Sequence, residues 1–304
     1  MSSAAPAQST GTGPPLVSGR WLFFAVLGVL AASAVCVWAA LCLLFWQGSW
    51  QLLYHPSSTV ARTPASAGMP FDPVDFATDG SGTPRLTGWW VAAAPASPRS
   101  RYTVLYLHGQ DGNLSNTIGH LEQLHAAGVN VFAFDYRGYG QSRFARPSEV
   151  HWLEDAGWAL DYLAGTRHID PRSIVVYGWD LGANLALELA AAQPELAGVV
   201  LNEPIKGDLT PIFDDPRAKF VPAHWLVRDR FDLDAAAAEI HVSVLWFESD
   251  APSLRQRYGE PSAYRKITSR KTLVWLAPSP HPASDKAAAF TRWLDDLPAV
   301  GALR

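Results

Sequence analysis

Residues 72–304 of this 304-residue chain predict one α/β domain, a mostly parallel sheet covered by helices on both faces, behind a single N-terminal transmembrane helix. Three observations carry that reading. Short runs of Val, Ile, Leu and aromatic residues alternate with amphipathic helical stretches, as in a sheet buried on both faces. The 26 residues from Trp21 to Trp46 contain no charge, more than the roughly 20 that a bilayer span requires. No Asp or Glu precedes Asp72, and Arg20 and Arg62 are the only basic residues before it, so the first 71 residues are a different material from the rest.

Taken in order, residues 1–20 are mostly Ser, Ala, Pro, Gly, Gln and Thr and predict a disordered lead. Residues 21–46 predict the span, with Trp21, Trp46, Trp50 and Tyr54 where an interfacial aromatic belt would fall. A cleavable signal would have a shorter apolar core, of about 7–15 residues, so the segment reads as an uncleaved anchor. Arg20 and the terminal amine on its N-side orient the amino terminus to the cytoplasm and the large domain outside. Residues 47–71, rich in Pro, Ser, Thr and Ala, read as a linker.

Beyond it, 72–78 and 86–91 predict a leading antiparallel pair around the turn Asp-Gly-Ser-Gly. Strands follow at 103–107, 129–135, 173–178, 196–202, 241–247 and 271–276. Helices are predicted at 118–127, 148–163, 181–192 and 283–297, with a short lid over about 203–238. Turns at Asp170-Pro171 and Gln193-Pro194 mark element boundaries.

At 48% hydrophobic and 17% charged the chain is globular, and a net charge of −4 points away from nucleic acid. The two cysteines, Cys36 and Cys42, both lie in the apolar span. A disulfide framework or a cysteine-ligated metal site is thereby excluded from the domain. No glycine-rich loop has dinucleotide or phosphate-loop spacing, and no cofactor or metal is implied.

The sharpest motif is Gly178-Trp179-Asp180-Leu181-Gly182, where a strand passes at once into a helix. A tight turn of this kind, normally Gly-x-Ser-x-Gly, carries a nucleophile, its glycines sparing the collision of strand and helix. The helix N-terminus behind it can stabilise an anion. Asp180 alone would equally serve as an ordinary helix N-cap. However, Leu107-His108-Gly109-Gln110-Asp111-Gly112-Asn113 also follows a strand, as an oxyanion loop should. Asp135-Tyr136-Arg137-Gly138-Tyr139-Gly140-Gln141-Ser142 follows the next one.

With these motifs the chain resembles the α/β-hydrolase superfamily over most of residues 50–300. Within it the chain is most similar to the serine-hydrolase branch holding the Bem46-like proteins and the α/β-hydrolase domain-containing proteins 13 and 17. The resemblance implies an α/β-hydrolase fold, a small-molecule substrate or ligand, and oxyanion donors in the backbone amides of Gln110 and Leu181. It also implies an acid at Asp250, with Glu248 in reserve, and a base at His281, in the order nucleophile, acid, histidine. Trp179 and Trp225 are candidate pocket walls, since aromatic walls suit apolar ligands. The N-terminal helix makes the lipid bilayer a further partner.

Asp180 departs from the serine of that branch. A carboxylate attacking an ester would form a reactive mixed anhydride. Aspartate nucleophiles in the superfamily instead attack saturated carbon, as in haloalkane dehalogenases and epoxide hydrolases, whose elbow reads Asp-Trp-Gly and whose caps are larger. Three readings follow. One is a hydrolase of ester-like or alkyl-carbon substrates using Asp180, His281 and Asp250. The second is a catalytically inactive domain that binds a ligand or partner. The third is a serine hydrolase with a displaced nucleophile at Ser142 or Ser115.

Overall fold

A computed structural model describes residues 18–205, 210–250, 259–276 and 282–298. Helix α1 runs from Gly19 to Gly48, capped by Ser18, whose Oγ accepts from the Trp21 N–H at 3.3 Å. Of its side chains only Phe45 is buried.

The domain is built on eight strands: β1 (Asp72–Phe76), β2 (Leu86–Val91), β3 (Thr103–Leu107), β4 (Asn130–Asp135), β5 (Ile174–Trp179), β6 (Gly198–Asn202), β7 (Ser243–Ser249) and β8 (Lys271–Leu276). Their order across the sheet is β1-β2-β4-β3-β5-β6-β7-β8. β2 is antiparallel to both neighbours, and β4 through β8 form a parallel array. The central strands are buried almost throughout, with only Asn130 at the start of β4 partly exposed, as their largely apolar runs require.

Helices cover both faces. On one side lie α3 (Glu149–Asp161) and α4 (Leu181–Ala192), around Trp152, Leu185 and Leu189. On the other lie α2 (Ile118–Ala126) and the C-terminal α7 (Pro282–Asp295), around Leu121, Leu124, Phe290 and Leu294. Two short helices, α5 (Leu233–Glu239) and α6 (Ser262–Lys266), pack on one another at the first face. The helix expected over 148–163 ends its α-helical part at Asp161 and continues as one π-helical turn, Tyr162–Thr166.

Strand order fixes where chemistry can gather. From β3 the chain turns one way to β4, while β5 lies on the other side of β3. The loops that follow β3 and β5 therefore leave the carboxyl edge side by side, at a topological switch point.

The segment expected as a linker folds against the domain instead. Leu53 and Tyr54 are buried, and His55–Pro56 pair in parallel with Asp111–Gly112 of the loop after β3. The Tyr54 ring packs edge-on against Trp152, and its hydroxyl donates to Asp229 at 2.8 Å. A two-residue pairing has no periodicity to read, so Pro and Ser dominate the local signal.

Candidate active site

Between the end of β5 and the start of α4 stands a single residue, Asp180, with φ 57° and ψ −128°. A residue with a Cβ is strained there by about 1–3 kcal/mol. Its neighbours hold it: the Asp180 N–H donates to Asn202 O at 3.0 Å, and the Ala183 N–H to Asp180 O at 2.9 Å. Both flanking glycines are needed for close approach. A Cβ at Gly178 would collide with Gly182 O, and one at Gly182 with His108 O.

The loop after β3 wraps this turn. Gly109 lies so close to the Asp180 carboxylate that a Cβ there would be 2.9 Å from Oδ2. The Gln110 carbonyl accepts from the His55 N–H at 3.0 Å and the Tyr139 hydroxyl at 2.8 Å, which pins the loop. His108 is buried, with Nδ1 2.7 Å from Gly109 O and Nε2 3.6 Å from Asp135 Oδ1. Asp135 Oδ1 also accepts from the Leu114 N–H at 2.8 Å. Burial pushes His108 down to about 4 and Asp135 up to about 7. His108 is thus a neutral structural residue at physiological pH.

Burial also raises Asp180, to about 6, helped by the charges of Asp111 and Glu203. The Leu181 backbone N–H and the Gln110 side chain oppose the rise. Gln110 was expected to act through its backbone amide, and its side chain also bears on the Asp180 carboxylate.

Asp250 follows β7 directly, its N–H donating to Leu276 O at 2.9 Å, beside the end of β8. Glu248, the reserve acid, is buried on β7 and accepts from the Trp246 indole at 3.2 Å. His281 lies outside the described residues. Neither displaced serine offers a nucleophile: the Ser142 hydroxyl donates to Asp135 O at 2.5 Å, and the Ser115 hydroxyl to Asn113 Oδ1 at 2.6 Å.

Trp179 is half-buried at the end of β5, its ring edge-on to His120 at 4.9 Å. Trp225 departs from expectation. It is 87% exposed on the four-residue helix Ala223–Leu226, because Ala223 and Val227 take the inward positions.

Sequence reading missed a polar group on the other flank of Asp180. Glu203, at the end of β6 with φ 56°, pairs with Lys286 of α7 at 3.4 Å. His120 on α2 meets the Tyr106 hydroxyl at 2.6 Å through Nδ1, and burial lowers it to about 4. The signal for Glu203 was its place just past a strand adjoining β5, on the edge where ligands bind. Among the described residues no cluster of metal-ligating side chains occurs.

Comparison with known proteins bears on the fold. A family model described as alpha/beta hydrolase fold matches residues 102–289. Protein Rv2307c of Mycobacterium tuberculosis is 31% identical over 220 residues, covering 71% of this chain and 74% of its own length. Human alpha/beta hydrolase domain-containing protein 17C is 32% identical over 137 residues, covering 45% of this chain and 40% of its own. The esterase Pf2001 of Pyrococcus furiosus superposes with a TM-score of 0.59 at 18% identity, over 81% of this chain and 97% of that one, which shows a shared fold.

Proposed function

The chain belongs to the α/β-hydrolase fold family, and on that premise we propose that it is a membrane-anchored hydrolase whose nucleophile is the Asp180 carboxylate. Helix α1 holds it in the bilayer as a single-pass anchor, with the large domain outside the cytoplasm. Asp250 orients His281, which serves as base.

The observation that carries the reading is the place of Asp180 in the strained turn between β5 and α4, its carboxylate set against Gly109 of the loop after β3, where the Leu181 and Gln110 amides are the candidate oxyanion donors. For a serine nucleophile those donors must stay open for the substrate's carbonyl oxygen. For an aspartate attacking saturated carbon, the oxyanion forms later and on Asp180 itself. One carboxylate oxygen displaces the leaving group, with its bonding pair, and becomes an alkyl ester. Water, deprotonated by His281, then adds to Asp180 Cγ. The negative charge falls on the other carboxylate oxygen, beside the Leu181 and Gln110 donors. Collapse expels the alcohol, which takes the proton from His281, and the carboxylic acid left at Asp180 loses its remaining proton to solvent, which restores the carboxylate. Donors beside the side chain's own oxygen suit that sequence, so alkyl-carbon substrates such as epoxides or haloalkanes are favoured over esters.

The same placement supports a second reading. For an acyl substrate the carboxylate crowds the oxyanion loop at Gly109, and a domain offered only such ligands would bind without turnover. A panel of epoxides, haloalkanes and p-nitrophenyl esters separates the two, with Asp180→Ala as control. The expected outcome is product from an epoxide or haloalkane, reduced by about 10³-fold or more in the variant. A folded protein silent on all three classes would leave the binding reading in its place.

A further inference from the structure

The described surface contains two isolated aromatic side chains close to α1. Phe220 is 71% exposed and Trp225 still more so, and both belong to the lid between β6 and β7. This part of the lid leans on the C-terminal half of α1. The Trp38 indole donates to Phe220 O at 3.0 Å, and the helix Ala223–Leu226 packs against α1. A largely apolar groove of about 260 Å³ lies between them, lined by Leu41, Leu44, Phe45, Phe220 and Val221, with Arg217 also at its wall.

The level of the membrane boundary follows from two independent observations. Counting from Trp21, about 20 residues at 1.5 Å each cross a hydrocarbon core of roughly 30 Å. That count ends near Ala40, so Trp38 lies in the last buried turn. From the other side, the Arg146 guanidinium donates to Trp46 O at 2.7 Å and lies 5.9 Å from the Trp46 ring centroid. A guanidinium belongs among headgroups and water rather than in hydrocarbon. The boundary therefore falls between Trp38 and Trp46, and Phe220, bonded to Trp38, is at its level.

We propose that the lid surface bearing Phe220 and Trp225 is a membrane-docking face, seated in the bilayer interface beside the emerging end of α1. The inference rests on α1 spanning the bilayer, as proposed above. The occupant is lipid, because the patch is continuous with the apolar flank of α1 and carries the aromatic residues that partition to the interface. Lys219 is exposed beside Phe220, where an ammonium can reach lipid phosphates. Docked in this way, the carboxyl edge of the sheet, with Asp180, is turned toward the membrane. The amino-terminal edge, with Glu195 in the loop before β6, is turned away.

The test uses the full chain in phosphatidylcholine vesicles, with one labelled cysteine at a time. Cys36 is kept alone by Cys42→Ala. Phe220→Cys, Trp225→Cys and Glu195→Cys are each made with Cys36→Ala and Cys42→Ala. Each cysteine carries an environment-sensitive fluorophore, quenched by lipids bearing a nitroxide either near the headgroup or deep in the chain. The expected result is strong deep quenching at position 36, loss of half the fluorescence or more with the shallow nitroxide at 220 and 225, and none at 195. Quenching at 36 with 220 and 225 as bright as 195 would overturn the docking face while leaving the anchor intact. Absence of quenching at 36 would overturn the anchor and the inference together. All three introduced positions are exposed, so the labels leave the core untouched.

Discussion

Asp180 combines a strained backbone with a carboxylate raised to about 6, mainly by burial. Both are costs to the fold, and both have consequences. Attack needs the ionised carboxylate, so turnover is present above pH 6 and falls as pH drops through it, which a pH–rate profile on the preferred substrate reads directly. Replacing the residue removes both costs. Asp180→Gly is expected to abolish turnover while raising stability by about 1–2 kcal/mol in urea unfolding. The sign with pH follows from the raised folded value. Below the unfolded carboxylate value near 4 the aspartate is protonated folded or unfolded, so its charge costs nothing there. Above about 6 it is ionised in both states, and burial opposes the folded one. The gain from Asp180→Gly is therefore larger at pH 7 than at pH 4. At this scale Asp180 was legible because the glycines two residues before and after it announce a close approach. That the loop after β3 lies against Asp180 was legible from its place after a neighbouring strand, whereas the direction of the Gln110 side chain depends on a torsion that no pattern encodes. Trp225, expected as a pocket wall, is exposed, and a four-residue helix is too short for its inward face to be read from sequence.

Among the elements, the junction of β5 with α4 is the tightest, since backbone oxygens stand where methyl groups would go. Gly182→Ala would press a Cβ into the carbonyl oxygens of Leu107 and His108. An expected loss of about 1–3 kcal/mol follows from overpacking against backbone that cannot rotate away. Gly157, in the middle of α3, has nothing within 4 Å of the place a Cβ would take. Gly157→Ala should therefore gain about 0.5–1 kcal/mol, through helix propensity alone. Denaturant midpoints of the two variants check the contrast. The central strands were legible nearly to their ends because each is a largely apolar run between turn signals, whereas β1, Asp-Pro-Val-Asp-Phe, was marked by the turn that follows it. The segment 47–71 was not. Its fixed points are scattered: Leu53 and Tyr54 under α3, Met69 against the far face. Tertiary contacts at such spacing leave no local period.

For the molecule as a whole, the order β1-β2-β4-β3-β5-β6-β7-β8 brings the loops after β3, β5 and β6 to one edge. The chain entering from α1 reaches the same edge, where His55–Pro56 pair with the loop after β3. The end of α1, the segment after β6 and Asp180 thus share one edge of the sheet, an arrangement that spacing along the chain could not announce but strand order imposes. On the proposed mechanism Asp180 is alkylated and then hydrolysed at its own carboxyl carbon. A single turnover in oxygen-18 water tests this, with enzyme in excess over an epoxide or haloalkane. The expected result is a first-turnover alcohol carrying ordinary oxygen from Asp180, and oxygen-18 in the carboxylate of the peptide containing it. Oxygen-18 in the first-turnover alcohol, with none at Asp180, would mean that water attacks the substrate directly and would contradict it.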